Sequence, residues 1–198
     1  MSYRKIGIFG GTFDPPTWGH HQVAKAALDS GQVDYVIFMP CYKHAFGKNP
    51  TDFDHRFKMC QIMLKDEPDI GPSQWEKFNK NEYSVDMLKH FIKNTRGVYD
   101  ETTEFRFILG SDNYWKTDKW KDFEEIKKLA PPLWIHRSGY SKPPPEEDVI
   151  KLNSYYSSTN IRKCIQKMNP QMSIMTRSTV LDYIMMNGLY KVKDISMY

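Results

Sequence analysis

Apolar positions along the chain fall into two alternating patterns. Short, nearly continuous apolar runs closed by glycine, proline or charge predict buried strands: "KIGIFGG" (Lys5 to Gly11), "VDYVIFMP" (Val33 to Pro40), "FRFILG" (Phe105 to Gly110) and "LWIHR" (Leu133 to Arg137). Between and after them, apolar residues recur at helical spacing in "HQVAKAALDS" (His21 to Ser30), "DFDHRFKMCQIML" (Asp52 to Leu64), "YSVDMLKHFIKN" (Tyr83 to Asn94) and "WKDFEEIKKL" (Trp120 to Leu129). The chain from Thr159 onward reads as two helical pieces broken at "MNPQ", and "GYSKPPPEED" (Gly139 to Asp148) reads as a loop. Alternation of strand and helix predicts an α/β fold, a parallel sheet flanked by helices on both faces. With 198 residues, no internal repeat and no linker, one domain over residues 1–198 is expected. In such sheets ligands bind at the carboxyl ends of the strands, where the strand order switches.

Composition changes this picture little. Hydrophobic residues make up 40% and charged residues 26%, which argues against disorder. The net charge of +4 is spread along the chain, so an anionic small molecule suits it at least as well as nucleic acid, and no clustered basic patch calls for the latter. Cys41, Cys60 and Cys164 lie far apart and form no Cys-x-x-Cys pair, which signals neither a disulfide framework nor a zinc site. No apolar run approaches the ~20 residues of a membrane span and no leader-like region opens the chain, so a cytoplasmic protein with no membrane contact is expected.

The candidate chemistry sits in "GGTFDPPTWGHH", residues 10–21. Gly10 and Gly11, at the end of the first strand, would let backbone N–H groups of the turn approach a phosphate closely. The run is neither Gly-x-x-x-x-Gly-Lys-Ser/Thr nor Gly-x-Gly-x-x-Gly. Its prolines set an extended turn, and Thr17 can cap the next helix, placing Gly19 and His20 in a first turn that favours anions. The plain alternative is a turn followed by a surface histidine. Late in the chain, "YYSSTNIRKCI" repeats the logic: Ser158 or Thr159 can cap a helix whose N–H groups face an anion, and Arg162 one turn in can clamp phosphate oxygens. Here the alternative is an ordinary cap with a solvated arginine. Trp120 could equally be core, Asp112 a helix cap, Arg56 a solvated helix residue and Arg137 a strand-end charge; Glu76 beside Trp75 is too generic to assign. The histidines other than His20 show no metal-ligand spacing.

Thr-x-Gly-His after Gly-Gly-Thr-Phe-Asp-Pro, with Ser-Thr-x-x-Arg late in the chain, resembles the nucleotidyltransferase superfamily. That group includes the nicotinate- and nicotinamide-nucleotide adenylyltransferases and pantetheine-phosphate adenylyltransferase. Further stretches are similar to the bacterial nicotinate-mononucleotide enzymes: Gly110, Asp112 and Trp120 of "GSDNYWKTDKW", Tyr83 and Ser84 of "NEYSVDML", Arg56 and Met59 of "FDHRFKM", Arg137 of "WIHRSG", and the packing helix "VLDYIMMNGLY". The resemblance implies a Rossmann-like fold and transfer of adenylate from ATP to nicotinate (or nicotinamide) mononucleotide, a step of NAD biosynthesis. It implies His20, Thr17 and Arg162 as catalytic, and Gly10, Gly11, Thr12, Phe13, Gly19, Gly110, Asp112, Ser158 and Thr159 as ATP-binding. Of these, Asp112 would contact a ribose. Tyr83, Ser84, Trp120, Lys43 and Arg137 would bind the mononucleotide, Trp120 by stacking on the pyridine ring; either Lys43 or Lys48 could reach the phosphates.

Such a reaction rests on positioning and charge neutralisation and needs no side-chain nucleophile. Mg²⁺ would arrive bound through the ATP phosphates, without a metal site made by the protein. A homo-oligomer is compatible with the resemblance. Threonine at position 17 is more typical of the pantetheine-phosphate branch, which makes that enzyme the nearest rival. A non-catalytic nucleotide-binding regulator is the other alternative.

Overall fold

The computed structural model describes residues 4–43, 49–81, 83–95, 98–99, 102–137, 149–152 and 156–191, the Arg137 side chain excepted. Strands β1 (Lys5–Gly11), β2 (Tyr35–Pro40), β3 (Ile70–Pro72), β4 (Glu104–Gly110), β5 (Pro132–Arg137) and β6 (Val149–Leu152) form one sheet in the order β3-β2-β1-β4-β5-β6. Every pairing is parallel. The helices are α1 (Trp18–Asp29), α2 (Phe53–Met63), α3 (Trp75–Asn79), α4 (Ser84–Thr95), α5 (Phe123–Leu129), α6 (Ser158–Gln166) and α7 (Ser178–Met186), with 3-10 segments over Ser111–Lys119 and Pro170–Ile174. This is the expected Rossmann-like arrangement.

Side-chain alternation along the strands builds two cores, one on each face of the sheet. On one face Phe9, Val36, Phe38, Ile108, Leu133 and Ile135 pack against α1, α2, α6 and α7 through residues such as Ala24, Met59, Ile161 and Ile184. On the other, Ile6, Ile8, Ile37, Met39, Phe107 and Leu109 meet α4 and α5 through Leu88, Phe91 and Ile126. Near-continuous apolar runs read as strands because both faces of each central strand are covered.

The strands missed by patterning are the two edges. β3 has three residues and β6 four, too few for a period to register. The helix expected from Trp120 begins instead at Phe123, after a 3-10 segment, with Asp122 in the left-handed region at φ 49°. Among the described residues from Ser158 onward there are three helical pieces and not two, because Pro170 opens a short 3-10 turn between α6 and α7.

The order in which strands are added reverses between β1 and β4: β2 and β3 extend from one edge of β1, β4 to β6 from the other. The crevice where ligands bind in such sheets is therefore bounded by Gly11 and Gly110, the last residues of β1 and β4. Among the described residues, no helix is long and apolar enough to cross a membrane.

Candidate active site

Beyond β1 the chain folds back on itself. Phe13 adopts φ 49° and is buried, its ring stacked on Phe38 at 4.7 Å and set edge-on to Phe9 at 5.4 Å. A Cβ on Gly11 would lie 3.0–3.2 Å from the Phe13 ring, closer than ordinary van der Waals contact, so a side chain here would press on that buried ring. The Asp14–Pro15 peptide is cis.

Four carbonyls of this loop are each held by a side chain from a remote element. Arg56 of α2 donates to Thr12 O at 2.9 Å, Arg162 of α6 to Asp14 O, Ser158 to Pro15 O at 2.8 Å and Thr176 to Pro16 O at 2.8 Å. Arg56 also donates to Thr51 O at 2.7 Å and is 1% exposed, which excludes the solvated-helix reading of this residue. The Asp14 carboxylate accepts from the Thr51 N–H at 3.1 Å and the Tyr190 hydroxyl at 2.6 Å.

Thr17 is the N-cap of α1, as its position in the sequence suggests. It is fully buried; its N–H donates to Nδ1 of His20, and its Oγ1 lies 3.0 Å from the same nitrogen. Thr17 therefore faces His20 and not open space. An amide N–H can only donate, so Nδ1 holds a lone pair and the proton of the neutral ring sits on Nε2. His20 is half-buried, beside the rings of Phe13 and Phe9 at 5.0 and 6.1 Å. Gly19 is buried one residue earlier in the same turn.

The cap of α6 is Ser157, whose side chain accepts from the Asn160 N–H; Ser158 and Thr159, expected as caps, occupy the first turn instead. Ser157 takes the extended conformation a cap needs, at φ −126° and ψ 147°, while Ser158 is already helical. Ser158 spends its hydroxyl proton on Pro15 O, and Arg162 reaches Thr159 Oγ1 with its second nitrogen at 3.4 Å. Thr17, His20, Ser158, Thr159 and Arg162 are thus brought together around one loop.

On the other side of that loop is a cavity of about 290 Å³. Gly10, Gly11 and Thr12 line it together with Lys43, Tyr83, Ser84 and Trp120. Trp120 meets Phe107 and Phe123 edge-on at 6.1 and 6.0 Å, and its Nε1 is buried with no hydrogen-bond partner among the described residues. Gly110 ends β4 and Asp112 sits half-buried in the next turn. Arg137 ends β5, but its side chain, like Lys48, lies outside the described residues.

Among the lining residues that sequence reasoning left unassigned are Glu76, Asn81, Lys119 and Lys121. Glu76 is 5% exposed and accepts from Asn81 Nδ2 at 3.0 Å; burial raises its pKa above the usual carboxylate range, against the lowering effect of that hydrogen bond. Lys121 lies 4.7 Å over the Tyr83 ring and 2.9 Å from Asp86. Burial likewise pushes up the Cys41 thiol, despite the nearby Arg56 charge. In the sequence Glu76 stands out only as the neighbour of Trp75, too generic a signal to assign it.

Residues 8–164 match the family model described as cytidylyltransferase-like. A Clostridium novyi protein named "Probable nicotinate-nucleotide adenylyltransferase" is 36% identical over 75% of this chain and 71% of its own length. One of the same name from Caldicellulosiruptor saccharolyticus is 33% identical over 94% and 99%. Among solved structures, Plasmodium falciparum nicotinic acid mononucleotide adenylyltransferase complexed with NaAD superposes with a TM-score of 0.78 at 22% identity, covering 94% of this chain and 97% of that one, a likeness of fold. The chain belongs to the cytidylyltransferase-like family and, within it, to the nicotinate-nucleotide adenylyltransferases.

Proposed function

We propose that the chain joins ATP to nicotinate mononucleotide, releasing pyrophosphate, with the loop from Gly10 to His20 at the reacting phosphates. The observation that carries this reading is the position of that loop. His20, Arg162 and the start of α1 stand on one side of it, and the cavity with Trp120, Tyr83 and Ser84 on the other. Two nucleotides meeting over Gly10 and Gly11 would bring a 5′-phosphate oxygen of one in line with the α-phosphorus of the other.

His20 donates from Nε2 to a phosphate oxygen, and Thr17 acts by holding that ring. Arg162 and the positive dipole ends of α1 and α6 draw the triphosphate. Such preorganised donors act most strongly on charge that develops in the transition state. Among the described residues no cluster of three His, Cys, Asp or Glu side chains is placed to hold a metal. Mg²⁺ carried by the ATP phosphate oxygens would supply charge neutralisation for the departing pyrophosphate. Among the described lining residues Lys43, Lys119 and Lys121 stand against one acid, Glu76, a balance that favours a ring bearing a carboxylate over one bearing an amide. A cytoplasmic setting follows from the substrates.

The test is pyrophosphate release with ATP, Mg²⁺ and each acceptor in turn. Fastest turnover on nicotinate mononucleotide is expected. Turnover on phosphopantetheine alone would assign the rival branch, and none with any acceptor would leave a nucleotide-binding regulator.

A further inference from the structure

The segment that closes α7 does more than pack. After Gly188 at φ 60°, Tyr190 takes φ 64°, a conformation L-residues rarely adopt, and its hydroxyl donates to Asp14 Oδ1 at 2.6 Å. Burial and the neighbouring Asp14 carboxylate both push the phenol pKa upward, so the hydroxyl remains a donor throughout the neutral range. Asp14 is itself buried, at 8% exposure, and its second oxygen accepts from Thr51 N–H. The carbonyl of the same residue receives the Arg162 guanidinium. One residue of the loop therefore joins the end of α7 to the arginine of α6.

We propose that Tyr190 is a positioning residue for ATP: by gripping the Asp14 carboxylate it fixes the Asp14 carbonyl, and that carbonyl fixes the direction of the Arg162 guanidinium. The inference rests on the reading of the Gly10 to His20 loop and Arg162 as the triphosphate site. The cavity that receives the mononucleotide is lined by neither Tyr190 nor Asp14. The two substrates should therefore respond differently to loss of the hydroxyl.

Tyr190→Phe keeps the ring packed against the core and removes the hydroxyl, with its donation to Asp14 and its 4.0 Å contact to Met59 Sδ. Binding of a non-hydrolysable ATP analogue by calorimetry and the KM for each substrate are the readouts, with Asp14→Asn and the double variant beside it. Expected are a rise of about 5- to 10-fold in the analogue Kd and the ATP KM, as fits one net hydrogen bond, with the mononucleotide KM changed by less than about 2-fold. Asp14→Asn should show the same selective loss, and the double variant no more than the larger single loss. Unchanged analogue binding in Tyr190→Phe, or equal weakening of both substrates, would overturn the proposal, as would additive losses in the double variant. Should Tyr190→Phe not fold, the selectivity of the Asp14→Asn loss decides alone. Wild-type protein that fails to bind the analogue would instead overturn the reading of the site.

Discussion

The backbone N–H of Thr17 donates to Nδ1 of His20 across 3.0 Å, and the carbonyl of the same peptide unit, Pro16 O, accepts from the buried Thr176 hydroxyl at 2.8 Å. One peptide group is thus held at both ends, and it presents its proton to the imidazole. The expected consequence is a single neutral tautomer with the proton on Nε2, visible by ¹⁵N NMR as a pyrrole-type Nε2 and a pyridine-type Nδ1. The reverse pattern at alkaline pH would contradict the arrangement.

That tautomer gives His20 its catalytic use as a donor to a phosphate oxygen. Removal of one preorganised donor of this kind costs roughly 3 to 4 kcal/mol in the transition state, or about 100- to 1,000-fold in rate. His20→Ala should lower kcat by about 100-fold or more, with a Tm within a few degrees of wild type, since the ring is only half-buried and stands outside the apolar core. A near-wild-type kcat would remove His20 from the reaction.

Arg56 illustrates the opposite case, a charged side chain whose contacts are to the fold. Its guanidinium serves Thr12 O and Thr51 O together and lies 5.4 Å from the Phe53 ring centroid. Arg56→Met would strip both carbonyls of their donors, at ~1–3 kcal/mol each. The expected Tm loss is about 10 °C. Arg56→Lys should not restore it, because an ammonium lacks the planar fork that reaches two acceptors.

Legibility from sequence followed the range of the interactions. The central strands and Thr17's cap could be read because continuous apolar runs and a capping residue act within a few positions. Edge strands β3 and β6 have no such period, and the α6 cap was misplaced by one residue because three consecutive serine and threonine side chains offer the same chemistry locally. The cavity's Trp120, Tyr83 and Ser84 were found through motif resemblance, whereas Glu76 and Lys121 belong to no motif and reach the cavity only by folding. Asp14's grip by Tyr190 spans 176 residues and carries no sequence signal.

Trp120 should bind the mononucleotide through its ring and not through its nitrogen, since Nε1 is buried and unpartnered among the described residues. Stacking of a base on an aromatic ring is worth roughly 1–3 kcal/mol. Trp120→Ala should accordingly raise the mononucleotide KM by about 5- to 100-fold with the ATP KM little changed. Trp120→Phe, which keeps a ring and removes a buried orphan donor, should retain most of the affinity. Equal losses in the two variants would show that the indole nitrogen takes part.

Glu76 carries a penalty whose sign with pH can be worked out. Burial raises its pKa in the folded protein above the ordinary carboxylate value near 4.3 that the unfolded chain retains. Below that ordinary value both states are protonated and Glu76 contributes no difference. As pH rises through it, the unfolded chain ionises first, so the folded state binds more protons and stability falls until the folded carboxyl also ionises. Glu76→Gln removes this penalty and keeps an oxygen to accept from Asn81 Nδ2. Its Tm should exceed that of wild type at pH 7.5, and the gap should close toward pH 4. Because the same charge lines the cavity beside three lysines, the variant should also lower the KM for an anionic mononucleotide at neutral pH. A stability gap that widens in acid would mean that the folded carboxylate is stabilised by its neighbours and not destabilised by burial.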